Sequence, residues 1–286
     1  MKDVNSIKHN ISAINETRQI TNAMYLLSTS RAKRAMTHID YNKEYMKRLR
    51  AAMRDVFAGL TGQEHVYTHP NGCKKKAYLL VTSDKGLCGA YNTAVVNYYL
   101  KNMTIDEKSY IAVIGAQAYD MLKFRGITPE LQWIGPSHEP SIHYARNIAE
   151  HFMQMYDNGY IGSVEIVYTR FDSQAVQTVE SIPLLPVLRS RYVGDNDTVT
   201  ETNYEPDRHT VLDTLIPECI TGVIYECLSQ ANACEHIARM TAMQSATDNA
   251  DELIAKLNLE YNCARQLSIT NEITEIAAAT SVSEEN

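Results

Sequence analysis

The chain has 286 residues, of which 44% are hydrophobic and 21% charged, with a formal net charge of −7. That is the profile of an ordinary globular protein with enough mass for a core. The acidic balance argues against a primary nucleic-acid binder, no apolar run reaches the ~18–20 residues that span a bilayer, and the opening MKDVNSIKHN lacks the apolar segment of a signal peptide.

Residues 1–58 contain neither glycine nor proline. Glycine costs ~1 kcal/mol and proline ~3 kcal/mol inside a helix, so this arm is predicted to run helical throughout, about 85 Å at 1.5 Å per residue. Ile7, Ile11, Ile14, Ile20, Met24, Leu27, Ala35 and Ile39 recur along it at roughly helical spacing. The arm is basic, with 11 Lys and Arg against 5 Asp and Glu.

All 12 Gly and 8 Pro fall between Gly59 and Gly222. Here β and α signals alternate. Residues 77–83, 110–115 and 164–171 read as buried strands, with further strands near Gln132–Ile134 and Thr178–Ile182; residues 90–101, 117–125 and 141–157 have helical periodicity. Strand–helix–strand order at these lengths predicts a parallel sheet covered by helices. Residues 194–207 are polar and aperiodic and read as an exposed loop.

The segment TSDKGLCGAYN after the first strand is the one place that hints at chemistry. Gly86 and Gly89 stand where a dinucleotide fold cradles phosphates. The spacing is G-x-x-G, however, without the first glycine of G-x-G-x-x-G, and the chain has no P-loop. A tight turn accounts for the segment better, with Asp84 and Lys85 as turn formers or partner contacts. No set of residues makes a nucleophile, base and oxyanion hole, so no catalytic, cofactor or metal site is assigned. Six cysteines (Cys73, Cys88, Cys219, Cys227, Cys234 and Cys263) form no C-x-x-C pair; they read as small buried hydrophobes in a reducing compartment.

The last arm, residues 223–286, again lacks Gly and Pro, and carries 3 Lys and Arg against 10 Asp and Glu. Its expected apolar stripe is Leu253, Leu257, Tyr261, Ala264, Leu267, Ile273 and Ile276. A basic and an acidic helix attract, so the two arms are expected to pair. The predicted class is α/β: a central parallel-sheet, Rossmann-like domain with long N- and C-terminal helices forming an antiparallel coiled coil. Its expected parts are a shaft helix at 1–58, a head at 59–210 and a second shaft helix at 211–286. Small polar residues (Thr17, Thr21, Ser28, Ser30, Asn232, Thr241, Ser245, Thr247, Asn249 and Ser268) are sprinkled along both arms. They suit a rod that touches another protein without gripping it; taken by themselves they are ordinary helix-surface chemistry.

Three segments carry a family resemblance. Ile7–Ala35 resembles the start of the gamma chain of F-type ATP synthase, Thr82–Asn92 its signature segment, and Arg239–Ile276 its C-terminal helix; Tyr204-Glu205-Pro206-Asp207 looks like the approach to that helix. The resemblance implies a non-catalytic central rotor stalk that couples transmembrane ion flow to ATP synthesis or hydrolysis. Its implied partners are the alpha and beta subunits of the catalytic ring, the epsilon subunit and the membrane c-ring, with no nucleic acid. The implied location is peripheral, on the cytoplasmic face of a bacterial plasma membrane; the chain lacks the cysteine-containing insertion near 190–210 of light-regulated plastid forms. Carried over residue by residue, Met24, Arg31, Lys33, Arg34, Arg239, Asn271, Thr274 and Glu275 are candidates for contact with the catalytic ring. Tyr204 and Glu205 are candidates for the membrane ring. Where the family commonly has two lysines, this chain has Gln19 and Asn22; Arg18, Arg31, Lys33 and Arg34 are the basic side chains left to compensate. Two other classes fit parts of the pattern: a generic coiled-coil scaffold, and a nucleotide-binding enzyme built on the middle segment.

Overall fold

The structure, a computed structural model, describes residues 4–58, 65–103, 109–135, 139–193, 204–205 and 207–284, the side chains of 278–284 excepted. The loop expected at 194–207 lies mostly outside these residues. The elements in order are α1 (Val4–Ala58), β1 (Lys76–Val81), α2 (Tyr91–Asn102), β2 (Tyr110–Ile114), α3 (Ala116–Phe124), β3 (Leu131–Trp133), α4 (Ile142–Asp157), β4 (Ser163–Phe171), β5 (Gln177–Leu185) and α5 (Arg208–Glu284), with 3-10 turns at Val66–Thr68 and Arg189–Arg191. By their contacts the residues form two compact units, Ser28–Arg239 and Met1–Leu27 with Met240–Asn286.

In the larger unit, five strands lie in the order β3-β2-β1-β4-β5. The first four are parallel, as apolar strands buried on both faces require. The expected parallel sheet is thus present, with β5 added at its edge: it runs antiparallel to β4, from Val164 opposite Leu185 to Phe171 opposite Gln177. Only a short connection separates β4 from β5, too little for a parallel crossover. Alternation along β1 sorts the core. Ala77, Leu79 and Val81 face α4 and the facing parts of α1 and α5, while Tyr78 and Leu80 face α2 and α3.

α5 begins well before the breaker-free arm. Asp207 caps it, its carboxylate accepting from the His209 and Thr210 amides and the Thr210 hydroxyl. The helix then continues through Pro217 and Gly222. Gly222 is there for space: a Cβ would come within 2.9 Å of Met46 Sδ and 3.1 Å of Leu49 Cδ2 on α1. Arg50 and Glu226 bridge the same two helices at 2.6 Å.

In the smaller unit the ends of α1 and α5 pack antiparallel. Arg18 meets Asp251 at 3.0 Å, and Thr247 donates to Thr21 at 2.9 Å, one turn along α1 and one turn back on α5. Buried and half-buried positions on α1 alternate in steps of three and four: Ile7, Ile11, Ile14, Arg18, Thr21 and Tyr25, then on to Val56. On α5 they run from Met240 through Met243, Thr247, Ala250, Ile254, Leu257, Tyr261 and Ala264 to Ser268. These positions form a heptad seam, and it corrects the expected stripes. Ile20 and Leu27 are 61% and 54% exposed, and Leu253, Leu267, Ile273 and Ile276 are also exposed, because a run picked by apolarity drifts off a seam that recurs every 3.5 residues. Conversely Thr21, Ser28, Asn232 and Thr247, read as surface chemistry, are buried or half-buried. From Ile269 to Ala277 every residue is exposed.

Candidate functional site: the signature loop and its clamp

The chain after β1 folds back on itself through side chains that the sequence reading left unassigned. Thr82 Oγ donates to the Ile114 carbonyl and accepts from the Ala118 amide, tying β1 to β2 and α3. Ser83 Oγ donates to the Lys85 carbonyl, and the Ser83 amide donates to Asn92 Oδ1. Asp84 accepts from the Gly135 amide at 3.1 Å, joining this loop to the one after β3. Asp84 thus ties two loops together, while Lys85 is exposed. Gly115 closes the corner, because a Cβ there would sit 2.5 Å from the Thr82 carbonyl oxygen and its φ is +93°. Leu87 stands at the tip with φ +61° and 64% exposure, a backbone region that costs a non-glycine residue ~1 kcal/mol or more.

In a dinucleotide fold with this strand order, the ligand lies beyond the carboxyl ends of β1 and β4, where the sheet order reverses. Here α5 fills that place. Cys234 is fully buried against Cys88, Tyr91, Phe171 and Ala238, and the Tyr91 hydroxyl donates to the Ala231 carbonyl at 3.1 Å. Arg239 completes the plug. It is 8% exposed, pairs with Glu235 at 2.8 Å, and donates through Nη2 to the carbonyls of Lys85 and Gly86, each at 3.2 Å. A buried guanidinium reading two backbone carbonyls fixes the loop against α5. Burial pushes the Glu235 carboxyl up to about 7, against the opposing pull of Arg239. The sequence alone could not separate this inward role of Arg239 from an outward one.

The other candidates sit apart from this clamp. Arg31 is half-buried, and Lys33 and Arg34 are exposed, all on α1. Tyr204 is half-buried under the Arg208 guanidinium, 4.9 Å from its ring centre, and Glu205 is exposed. In the smaller unit Met24 is half-buried beside the seam, and Asn271, Thr274 and Glu275 are exposed. The Thr274 hydroxyl donates to the Thr270 carbonyl of its own helix.

His65, His209 and Asp213 place their ligating atoms within 4.8 Å of one another, a set that sequence spacing did not suggest. His65 Nδ1 accepts from the Tyr67 amide and Nε2 lies 2.9 Å from Asp213. Nε2 therefore carries the hydrogen, so both ring nitrogens of His65 are already engaged. Of the cysteines, Cys88, Cys219, Cys227 and Cys234 are buried, as expected, but Cys263 is exposed, because it falls between the seam positions Tyr261 and Ala264.

Residues 3–281 match the model of the ATP synthase family. An ATP synthase gamma chain from Clostridium pasteurianum is 35% identical over 276 residues, 96% of either chain. The chain belongs to the ATP synthase gamma-chain family. Another gamma chain, from Staphylococcus haemolyticus, is 32% identical over 99% of this chain and 100% of its own length. Among solved structures, the rotor of Euglena gracilis mitochondrial ATP synthase has a TM-score of 0.69 at 18% identity, covering 93% of this chain and 98% of its own. A chain of the Tetrahymena thermophila central stalk and c-ring scores 0.59 at 20% identity, over 79% and 99%. At such identities the likeness is one of fold. In this gamma-family chain the place where a dinucleotide fold holds its ligand is thus filled by α5. Neither rival class gains support, since the family match spans both arms and the middle segment together.

Proposed function

We propose that this chain is the central rotor stalk of an F-type ATP synthase, non-catalytic by itself, peripheral on the cytoplasmic face of a bacterial membrane. The observation that carries the reading is the end-to-end gamma-chain similarity, with 35% identity over 96% of both sequences. Among the described residues no helix is long and apolar enough to cross a membrane, which fits a subunit attached through partners. Those partners are the alpha and beta subunits of the catalytic ring, epsilon and the membrane c-ring. In this reading residues 1–58 and 211–286 form the shaft and 59–210 the head.

Ion flow turns the membrane ring, the chain turns with it, and each catalytic site meets a different face of the stalk in turn. Coupling then resides in differential contacts, since a ligand or partner shifts an equilibrium only by its unequal affinity for the two states. Asn271, Thr274 and Glu275, on the stretch of α5 where every side chain is exposed, are the strongest candidates for those contacts; Met24, Arg31, Lys33 and Arg34 are the others on α1. Arg239 acts indirectly, holding the loop that presents Lys85 and Leu87. Glu205 is the exposed member of the pair assigned to the membrane ring. The test is isolation of a tagged chain from membranes with identification and counting of its partners. One copy per catalytic ring is expected, together with no ATP hydrolysis by the chain alone; free chain without ATPase subunits, or stoichiometric ATP binding by calorimetry, would overturn the proposal.

A further inference from the structure

The parallel strands give the sheet two unlike ends. The signature loop and its clamp lie at the carboxyl end of β1. At the amino end, where β1 and β4 begin with Lys76 opposite Ser163, the chain runs through three consecutive lysines, Lys74, Lys75 and Lys76. Lys74 and Lys76 are exposed and Lys75 is half-buried; none has an ion-pair partner among the described residues. The Lys75 ammonium stands over two aromatic rings, 4.1 Å from the centre of Tyr160 and 5.7 Å from that of Tyr110. Tyr160 is itself 54% exposed. Asp157, the carboxylate at the end of α4, is taken by the Tyr67 hydroxyl at 2.7 Å. The lysine segment is held in place by the turn between α4 and β4. Asn71 Nδ2 donates to the carbonyls of Tyr156 and Ile161, the Gly162 amide donates to the Lys75 carbonyl at 2.7 Å, and a Cβ on Gly162 would collide with the Cys73 carbonyl. Through His65 the same segment meets Asp213 in the second turn of α5, the helix that Tyr204 and Glu205 lead into.

We infer that this end of the sheet docks on an anionic phospholipid surface, an inference that extends the peripheral placement proposed above and rests on it. Near such a surface a lysine acts as a point charge in the field of many headgroups, without the paired geometry that arginine brings to a single carboxylate. A run of three lysines without arginine therefore suits a lipid surface better than one docked acidic segment. Tyr160 adds the amphipathic ring that settles at headgroup depth. The chain's net charge of −7 opposes approach by acidic faces, so this patch sets the orientation of contact.

The test is flotation of the purified full-length chain with vesicles of phosphatidylcholine alone and of phosphatidylcholine mixed with phosphatidylglycerol. Wild type should bind the mixed vesicles only, and less as salt is raised. Lys74→Gln combined with Lys76→Gln should weaken binding by about tenfold or more. Lys47→Gln combined with Lys101→Gln removes the same charge from exposed positions on α1 and α2, and should weaken it less than about twofold; it separates a patch from net charge. Trp133 is the one tryptophan of the chain, so a second, placed by Tyr160→Trp, reports on the patch. Its emission should shift to the blue with mixed vesicles, beyond any change in wild type. Equal losses in the two double variants, no binding to mixed vesicles, no shift at position 160, or capture of polyglutamate in place of vesicles would each overturn the inference. If the tagged chain still brings down its ATPase partners, such a result strikes the lipid contact alone and leaves the rotor reading standing.

Discussion

A Cβ added to Gly222 on α5 would stand 2.9 Å from the sulfur of Met46 on α1. The two helices thus approach closely at this glycine, which suits a small residue here despite its poor helix propensity. Gly222→Ala asks only that the Met46 and Leu49 side-chain ends move by tenths of an ångström, and it gains ~1 kcal/mol of propensity. Gly222→Leu has no such room in the fully buried neighbourhood of Met46, and should cost about 1–3 kcal/mol by overpacking. Urea unfolding is expected to place the alanine variant near wild type and the leucine variant clearly below it. Equal midpoints for the two variants would mean that the helices do not approach as closely here as described.

Glu235 gives a pH signature. Burial raises its folded pKa to about 7 from the ordinary 4.5, with Arg239 opposing. Below the unfolded value both states are protonated, so the group costs nothing; as pH rises towards about 7 the unfolded chain releases its proton first and native stability falls. The stability of wild type relative to Glu235→Gln should therefore decline between about pH 5 and about pH 8. Denaturant midpoints at the two values measure it. A constant difference would show that Arg239 holds the carboxylate ionised throughout.

Much of the α/β core was readable because buried strands announce themselves as short apolar runs and the intervening helices keep one apolar face. β5 was foreseen as a strand but not as antiparallel, since apolarity fixes burial and says nothing about direction. The helix seam was harder to read. Its buried and half-buried positions include Arg18, Thr21, Ser28 and Thr247, residue types that composition assigns to a surface, while the exposed Ile20, Leu253 and Leu267 look like core. The clamp was legible only in part. Arg239 drew attention through its segment, but its partners are the backbone carbonyls of Lys85 and Gly86, and a carbonyl leaves no trace in a sequence. Likewise His65 and Asp213 meet across 148 positions, a distance at which spacing carries no signal.

Thiol chemistry offers a direct check on the packing. Cys263 is exposed and Cys73 half-buried, while the other four are buried. Burial also pushes the thiols of Cys88, Cys219 and Cys227 up, and that of Cys234 to about 12, which removes the reactive thiolate near neutral pH. Native alkylation followed by mass spectrometry should modify Cys263 first and Cys73 next, and leave the remaining four intact until denaturant is added. Early modification of Cys234 would show that α5 does not plug the switch point.

The last expectation concerns how torque would pass along the stalk. Ile14 on α1 and Leu257 on α5 line the same hollow in the smaller unit, both half-buried in the heptad seam. Thr274 lies beyond the paired stretch, exposed, with its hydroxyl turned back to the Thr270 carbonyl. If two helices are to turn as one body, their seam must resist sliding, and truncating a well-packed side chain costs ~2–5 kcal/mol; at these half-buried positions the lower end of that range applies. Ile14→Ala and Leu257→Ala should each lower ion-driven ATP synthesis more than Thr274→Ala does, with part of the ATP hydrolysis retained. Membrane vesicles carrying each variant at equal assembly allow both activities to be measured together. Should Thr274→Ala uncouple while the two seam variants behave like wild type, torque would depend on particular polar catches at the exposed end of α5, and the seam would serve assembly alone.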